Sequence, residues 1–201
     1  TVASEIKGNV STNIAFTKTS PGTLILTGGS GGTSFGSLNM LGGKLSIQSG
    51  VWSIAPAAKD HYTVFNVLGG ATYEQTGGTN TIPFYSCISQ KEHVAPATTN
   101  NSVGIISGGT LIGYELMAGR WNNAVMTISG DALLDLYTLK LGEDPGFTTV
   151  CNLDGGIVAC AYIASRCSDP SAATSILNLN GGTIRAKGDY NIIGAWGSGT
   201  V

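Results

Sequence analysis

A glycine corner recurs along this chain, each time behind a short stretch in which apolar and polar residues alternate. In the C-terminal half the stretches read "VGIISGG", "VMTISG", "VCNLDGG" and "ILNLNGG", anchored on Gly108, Gly130, Gly155 and Gly181. By subtraction the anchors lie 22, 25 and 26 residues apart. Earlier copies, "TLILTG", "SLNMLGG" and "VFNVLGG", are anchored on Gly28, Gly42 and Gly69, at less regular steps. Alternation is the signature of a strand, whose successive side chains point to opposite faces. A unit of about 25 residues built from short strands is too small to bury its own apolar side. It has to stack on its neighbours, and strands that return beneath themselves make a parallel β-helix.

The pattern also assigns faces. The residues four and two before each glycine are Leu24/Leu26, Leu38/Met40, Phe65/Val67, Gly104/Ile106, Met126/Ile128, Cys151/Leu153 and Leu177/Leu179. All but Gly104 are apolar, so this row points inward. Three residues past the glycine a second row reads Leu45, Thr72, Leu111, Leu133, Val158 and Ile184. Between the inward pairs stand Asn39, Asn66, Ile105, Thr127, Asn152 and Asn178, mostly polar and so outward. Leu153 and Leu179 are expected to be buried and stacked one coil apart, with Ile128 beneath. Cys151 is expected to be a buried thiol between Met126 and Leu177. A sandwich of short strands is the rival, but it requires no fixed period.

Composition narrows the function classes. Charged residues are 11% of 201, the formal net charge is −2, and glycine numbers 30. Nucleic-acid binders need a basic face, and here Lys and Arg stand singly, which also argues against a polybasic membrane contact. No apolar run is long enough to insert in a membrane as a helix. Four cysteines are too few for a disulfide framework of this length. Cys160 and Cys167, seven apart (167 − 160), suit neither a CxxC redox site nor a zinc knuckle, and are expected near each other at a corner, bridged if the protein is exported. The stretches "TVASEIKGNV" and "GAWGSGTV" read as cut ends, so the expectation is one solenoid domain over residues 1–201 within a longer chain. An unpaired edge on a terminal coil would invite end-to-end self-association.

The stretch "TKTSPGTLILTGGSGGTSFGSLNMLGGKLSIQSG" resembles the autotransporter-associated β-strand repeat. Lys18, Gly22, Thr23, Leu24, Leu26 and Gly28 match that family's opening. Gly31, Gly32 and Thr33 match its middle, and Gly43, Leu45 and Ile47 its closing strand. The departures are Ser20-Pro21 and residues 51–100, which fit poorly. The resemblance covers about a third of the chain. It implies a right-handed parallel β-helix in a large bacterial surface or secreted protein, and it supplies no catalytic residues.

Two kinds of site come out of the residues themselves. Asn152, Asp154, Asn178 and Asn180 form a polar outward stripe suited to glycan hydroxyls. Trp121, with Trp52, Trp196 and the tyrosines at 62, 73, 85, 114, 137, 162 and 190, supplies aromatic rings on which sugars stack. The reading is therefore a structural or adhesive segment contacting polysaccharide or a cell-surface glycan, with no cofactor or metal. The alternative is a lyase or glycoside hydrolase of the β-helix type using His93, Asp131 and Asp154. His93 lies in the long step, in an insertion placed at residues 85–101, and a second cluster is Lys59-Asp60-His61. Asp131, Asp135 and Asp154 fall on neighbouring repeats, as stacked calcium-binding acids would. Asp131 follows its glycine and Asp154 precedes its own, so the two are not expected to superpose. No nucleophile motif such as GxSxG accompanies them.

Overall fold

The structure, a computed structural model, describes residues 15–28, 33–54, 65–89, 100–165, 174–188 and 192–195. Every regular element among them is a strand, and every pairing is parallel. The strands follow the chain as β1 (Ala15–Lys18), β2 (Thr23–Thr27), β3 (Thr33–Phe35), β4 (Ser37–Met40), β5 (Gly43–Ser49), β6 (Val51–Ile54) and β7 (Phe65–Val67). Next come β8 (Ala71–Gln75), β9 (Thr79–Ile88), β10 (Ser102–Ile106), β11 (Thr110–Ala118), β12 (Ala124–Ile128) and β13 (Leu133–Leu141). The last are β14 (Thr148–Cys160), β15 (Tyr162–Ser165), β16 (Thr174–Ala186) and β17 (Ile192–Ala195).

They form a three-faced solenoid, because paired segments lie a whole coil apart along the chain, as Leu134 and Val158 do. On the first face, here face A, the inward ladder runs Leu24–Leu45–Tyr73–Gly104–Met126–Cys151–Leu177. On face B it runs Trp52–Asn80–Leu111–Leu134–Val158–Ile184. On face C it runs Phe16–Leu38–Phe65–Ser86–Leu116–Leu139–Ile163. The long strands β9, β11 and β13 each cover face B, bend, and continue on face C. The three ladders meet in one apolar core.

Polar side chains hold the corners. Ser102, Thr149 and Ser175 open face A in three different coils, and their hydroxyls donate to the carbonyls of Val67 (2.5 Å), Ala118 (3.3 Å) and Leu141 (2.7 Å) on face C. Lys18 is an inward, buried lysine whose ammonium donates to the carbonyls of Ser20 (2.5 Å) and Gly42 (3.2 Å). One coil carries polarity into the core itself. Tyr73 donates to Gln75 at 2.8 Å, Asn80 donates to the Tyr73 hydroxyl at 2.9 Å, and Gln75 donates to the Thr110 carbonyl at 3.0 Å. Such groups persist in a core only when hydrogen-bonded.

The sequence reading needs four corrections. The N-terminal glycines do not mark one corner: Leu24/Leu26 lie on face A, whereas Leu38/Met40 and Phe65/Val67 lie on face C. A "Gly-Gly" therefore spells two corners, A to B in the later coils and C to A in "LGGKL" and "LGGAT". Second, Leu134 and not Leu133 continues the face B ladder, because the corner at Gly130 holds one residue more than its neighbours. Third, the insertion begins later than expected: Tyr85–Ile88 are part of β9, in register with Glu115–Ala118. Fourth, Leu153 is 2% exposed as expected, but Leu179 is 55% exposed. The register between them stands, since Leu153 pairs with Leu179. Burial fails because, among the described residues, no strand covers the far side of β16.

Candidate functional site: a polar grid and a tyrosine ladder

The end of face A carries four of the sequence-predicted binding residues as a grid. Asn152 and Asn178 are ladder partners, and Asn178 Nδ2 donates to Asn152 Oδ1 at 2.8 Å. Two residues along the same strands, Asn180 Nδ2 donates to Asp154 Oδ1 at 2.8 Å. Asp154 and Asn180 are exposed, Asn152 and Asn178 half-buried. The grid follows from the sequence: these positions alternate with inward Cys151, Leu153, Leu177 and Leu179, so they must point out. Each primary amide offers two donors and two acceptor lone pairs, and the ladder bond uses one of them. Adjacent coils are about 4.8 Å apart and outward neighbours on one strand nearly 7 Å, so the grid repeats donors and acceptors on the scale of a sugar ring.

Trp121 does not join it. It sits half-buried in the C to A corner after β11, at the other end of face A, and its indole nitrogen is buried with no hydrogen-bond partner among the described residues. Beside it, Arg120 lies 3.5 Å from Glu143 and 3.8 Å from Asp144 of the next corner.

The acids are not brought together. Asp131 is exposed in the A to B corner after β12, while Asp154 lies on the strand of the next coil and is hydrogen-bonded to Asn180. Asp135, on the outward side of β13, pairs with Lys187. His93 and the Lys59–His61 cluster lie outside the described residues, as does Cys167; Cys160 is a buried free thiol in β14. Among the described residues no group of three or more His, Cys, Asp or Glu side chains is placed to hold a metal ion.

The tyrosines, by contrast, assemble in a way their spacing did not announce. Tyr114 and Tyr137 are the residues on which β11 and β13 bend from face B to face C. Their rings stack with centroids 4.7 Å apart and planes 16° from parallel. Tyr162 follows at the same corner, 5.4 Å from Tyr137 and turned by 71°. Tyr114 and Tyr137 are 44% and 42% exposed, and Ile112, two residues before Tyr114, is 38% exposed. The available signal was a tyrosine placed at the start of each face C segment, one coil apart. Following the ladder on the outward side of face C, Glu115 and Lys140 form a buried ion pair at 2.9 Å. Elsewhere on face C the outward side chains of Asn66, Cys87 and Met117 are all buried.

Compared with known proteins, the chain matches no family model, no curated protein and no solved structure.

Proposed function

We propose that this chain is a structural, adhesive β-helix segment of a secreted or cell-surface bacterial protein, and that it contacts polysaccharide through the polar end of face A. The observation that carries this reading is the Asn152–Asn178 and Asp154–Asn180 grid, rigid because each pair is bonded across coils. A pre-ordered row of donors and acceptors loses little entropy when a glycan settles on it. The resemblance of residues 17–50 to the autotransporter-associated repeat supports the surface location. The separation of Asp131 from Asp154 supports binding rather than turnover, since hydrolases and lyases need an acid and a base converging on one bond.

The test is retention of the purified chain on immobilised neutral and acidic polysaccharides, with the supernatant assayed for new reducing or unsaturated ends. Retention that weakens in Asn178→Ala and Asn152→Ala, without release of new ends, is the expected result. Turnover that vanishes in Asp154→Ala or His93→Ala would replace this reading with the lyase or hydrolase one.

A further inference from the structure

Resting on the polysaccharide-contacting reading above, we infer a second and separate subsite at the B to C corner: the tyrosine ladder Tyr114–Tyr137–Tyr162 with Arg185 and Lys187, selective for an acidic glycan chain.

Three observations carry it. The ladder runs along the solenoid axis with ring spacings of 4.7 and 5.4 Å, close to the length of one pyranose along a glycan. A chain laid along the axis would therefore meet a tyrosine ring at each sugar, the Tyr162 ring turned by 71° from its neighbour. Second, Tyr114 and Tyr137 stack on one another, so they turn ring edges rather than faces to solvent. The edge of an aromatic ring is the positive part of its quadrupole, and a phenol hydroxyl adds a donor. Such a row favours oxygen-rich, negatively charged partners over the apolar face of a neutral sugar.

Third, among the described residues the charges flanking the ladder leave one cation over. Outward on face B, next to the tyrosines, stand Ile112, Asp135, Ala159 and Arg185 in successive coils. Lys187 leaves β16 beside Cys160, bonding to its carbonyl at 3.0 Å, and reaches Asp135. Asp135 with Lys187, and Glu115 with Lys140, cancel in pairs. Arg185 is exposed and adds the excess positive charge. A carboxylate on the ligand would meet Arg185 and could share Lys187 with Asp135, whereas a neutral chain would gain neither contact.

The experiment compares oligogalacturonate with its methyl ester, the same chain without the charge, by calorimetry or ligand-observed NMR on the whole 201-residue chain. The acid should bind several-fold more tightly than the ester, and less so as salt is raised. Tyr137→Leu should weaken the acid by about five- to tenfold, the size of one aromatic contact. Arg185→Gln should reduce the preference for acid over ester severalfold. Both substitutions should leave circular dichroism unchanged, because the residues are on the surface. Equal affinity for acid and ester, or no effect of Tyr137→Leu and Arg185→Gln, overturns the subsite. If neutral chains are still retained in an Asn178-dependent way, only the ladder inference falls. If no glycan binds at all, both readings fall.

Discussion

Inward residues of this solenoid differ in what covers them, and that difference should be measurable one side chain at a time. Leu153 is enclosed by Ile128 in the coil before it and Leu179 in the coil after it. Leu153→Ala should cost about 2–5 kcal/mol, the range for emptying a core position. Leu179 keeps more than half of its surface in water, and Leu179→Ala should cost less than about 1 kcal/mol. Urea denaturation of the two variants side by side checks the contrast; equal losses would contradict the uncovered last coil. The thiols make a second residue-scale case. Burial pushes Cys87 and Cys151 up to about 12 and Cys160 up to about 11, from the ordinary value of 9.0. Tyr73 is pushed up for the same reason, beyond the ordinary phenol range. All four folded-state values lie above the unfolded ones, so unfolding releases protons once the unfolded thiols begin to ionise. Their contribution is full below pH 9 and is lost as pH rises toward 12. The urea midpoint should fall steadily from pH 9 to pH 11, and all three thiols should resist alkylation until the chain unfolds. Rapid labelling of Cys151 in the folded chain would contradict its inward placement.

Strands and corners divide the information in the sequence unevenly. The inward row of face A over the last four coils could be read directly, because alternation and a fixed glycine offset select the same residues there. Corner identity could not be read. Gly42-Gly43 turns face C into face A, whereas Gly155-Gly156 turns face A into face B, and both present a residue of positive φ to the backbone one coil below. The dipeptide reports only that backbone need, not which two faces it joins. The polar grid was readable because its four members lie on alternating positions of paired strands. The tyrosine ladder was not, since Tyr114 and Tyr137 act as corner residues outside the alternation. The corner requirement itself can be tested at Gly156. Its φ is +73°, and a Cβ there would lie 2.5 Å from the Ala132 carbonyl oxygen. Gly156→Ala should therefore cost at least about 2 kcal/mol, combining left-handed strain with a clash against backbone. Gly146→Ala, at φ +84° but with no atom within 4 Å of the added carbon, should cost only the strain. Thermal unfolding of the pair separates the two terms, and equal melting temperatures would contradict the close stacking of corners.

At the scale of the whole molecule the two ends of the described solenoid are unequal. In the first described coil Leu26 is 2% exposed, and Phe16 and Leu24 are partly buried against the core. In the last coil inward Leu179 is 55% exposed, and Leu177 and Ile184 are only partly buried against the core. The same coil leaves the far edge of β16 without a partner strand among the described residues, over the 13 residues from Thr174 to Ala186. A long unpaired edge backed by apolar side chains is a template for another strand. The free edges at the opposite end belong to β1, β2 and β3, of 4, 5 and 3 residues, so two copies should meet edge to edge at the longer β16 rather than add head to tail. That contact is isologous and closes at a dimer, where a heterologous one would run on into fibres. The 201-residue chain should therefore pass from monomer to dimer as its concentration rises in sedimentation velocity runs. Leu179→Lys places a charge in the middle of the edge, with little cost to the fold because the side chain is mostly in water, and should hold the chain monomeric. A native chain that stays monomeric throughout would show that the open edge is not adhesive. Species growing beyond a dimer would assign the contact to head-to-tail stacking instead.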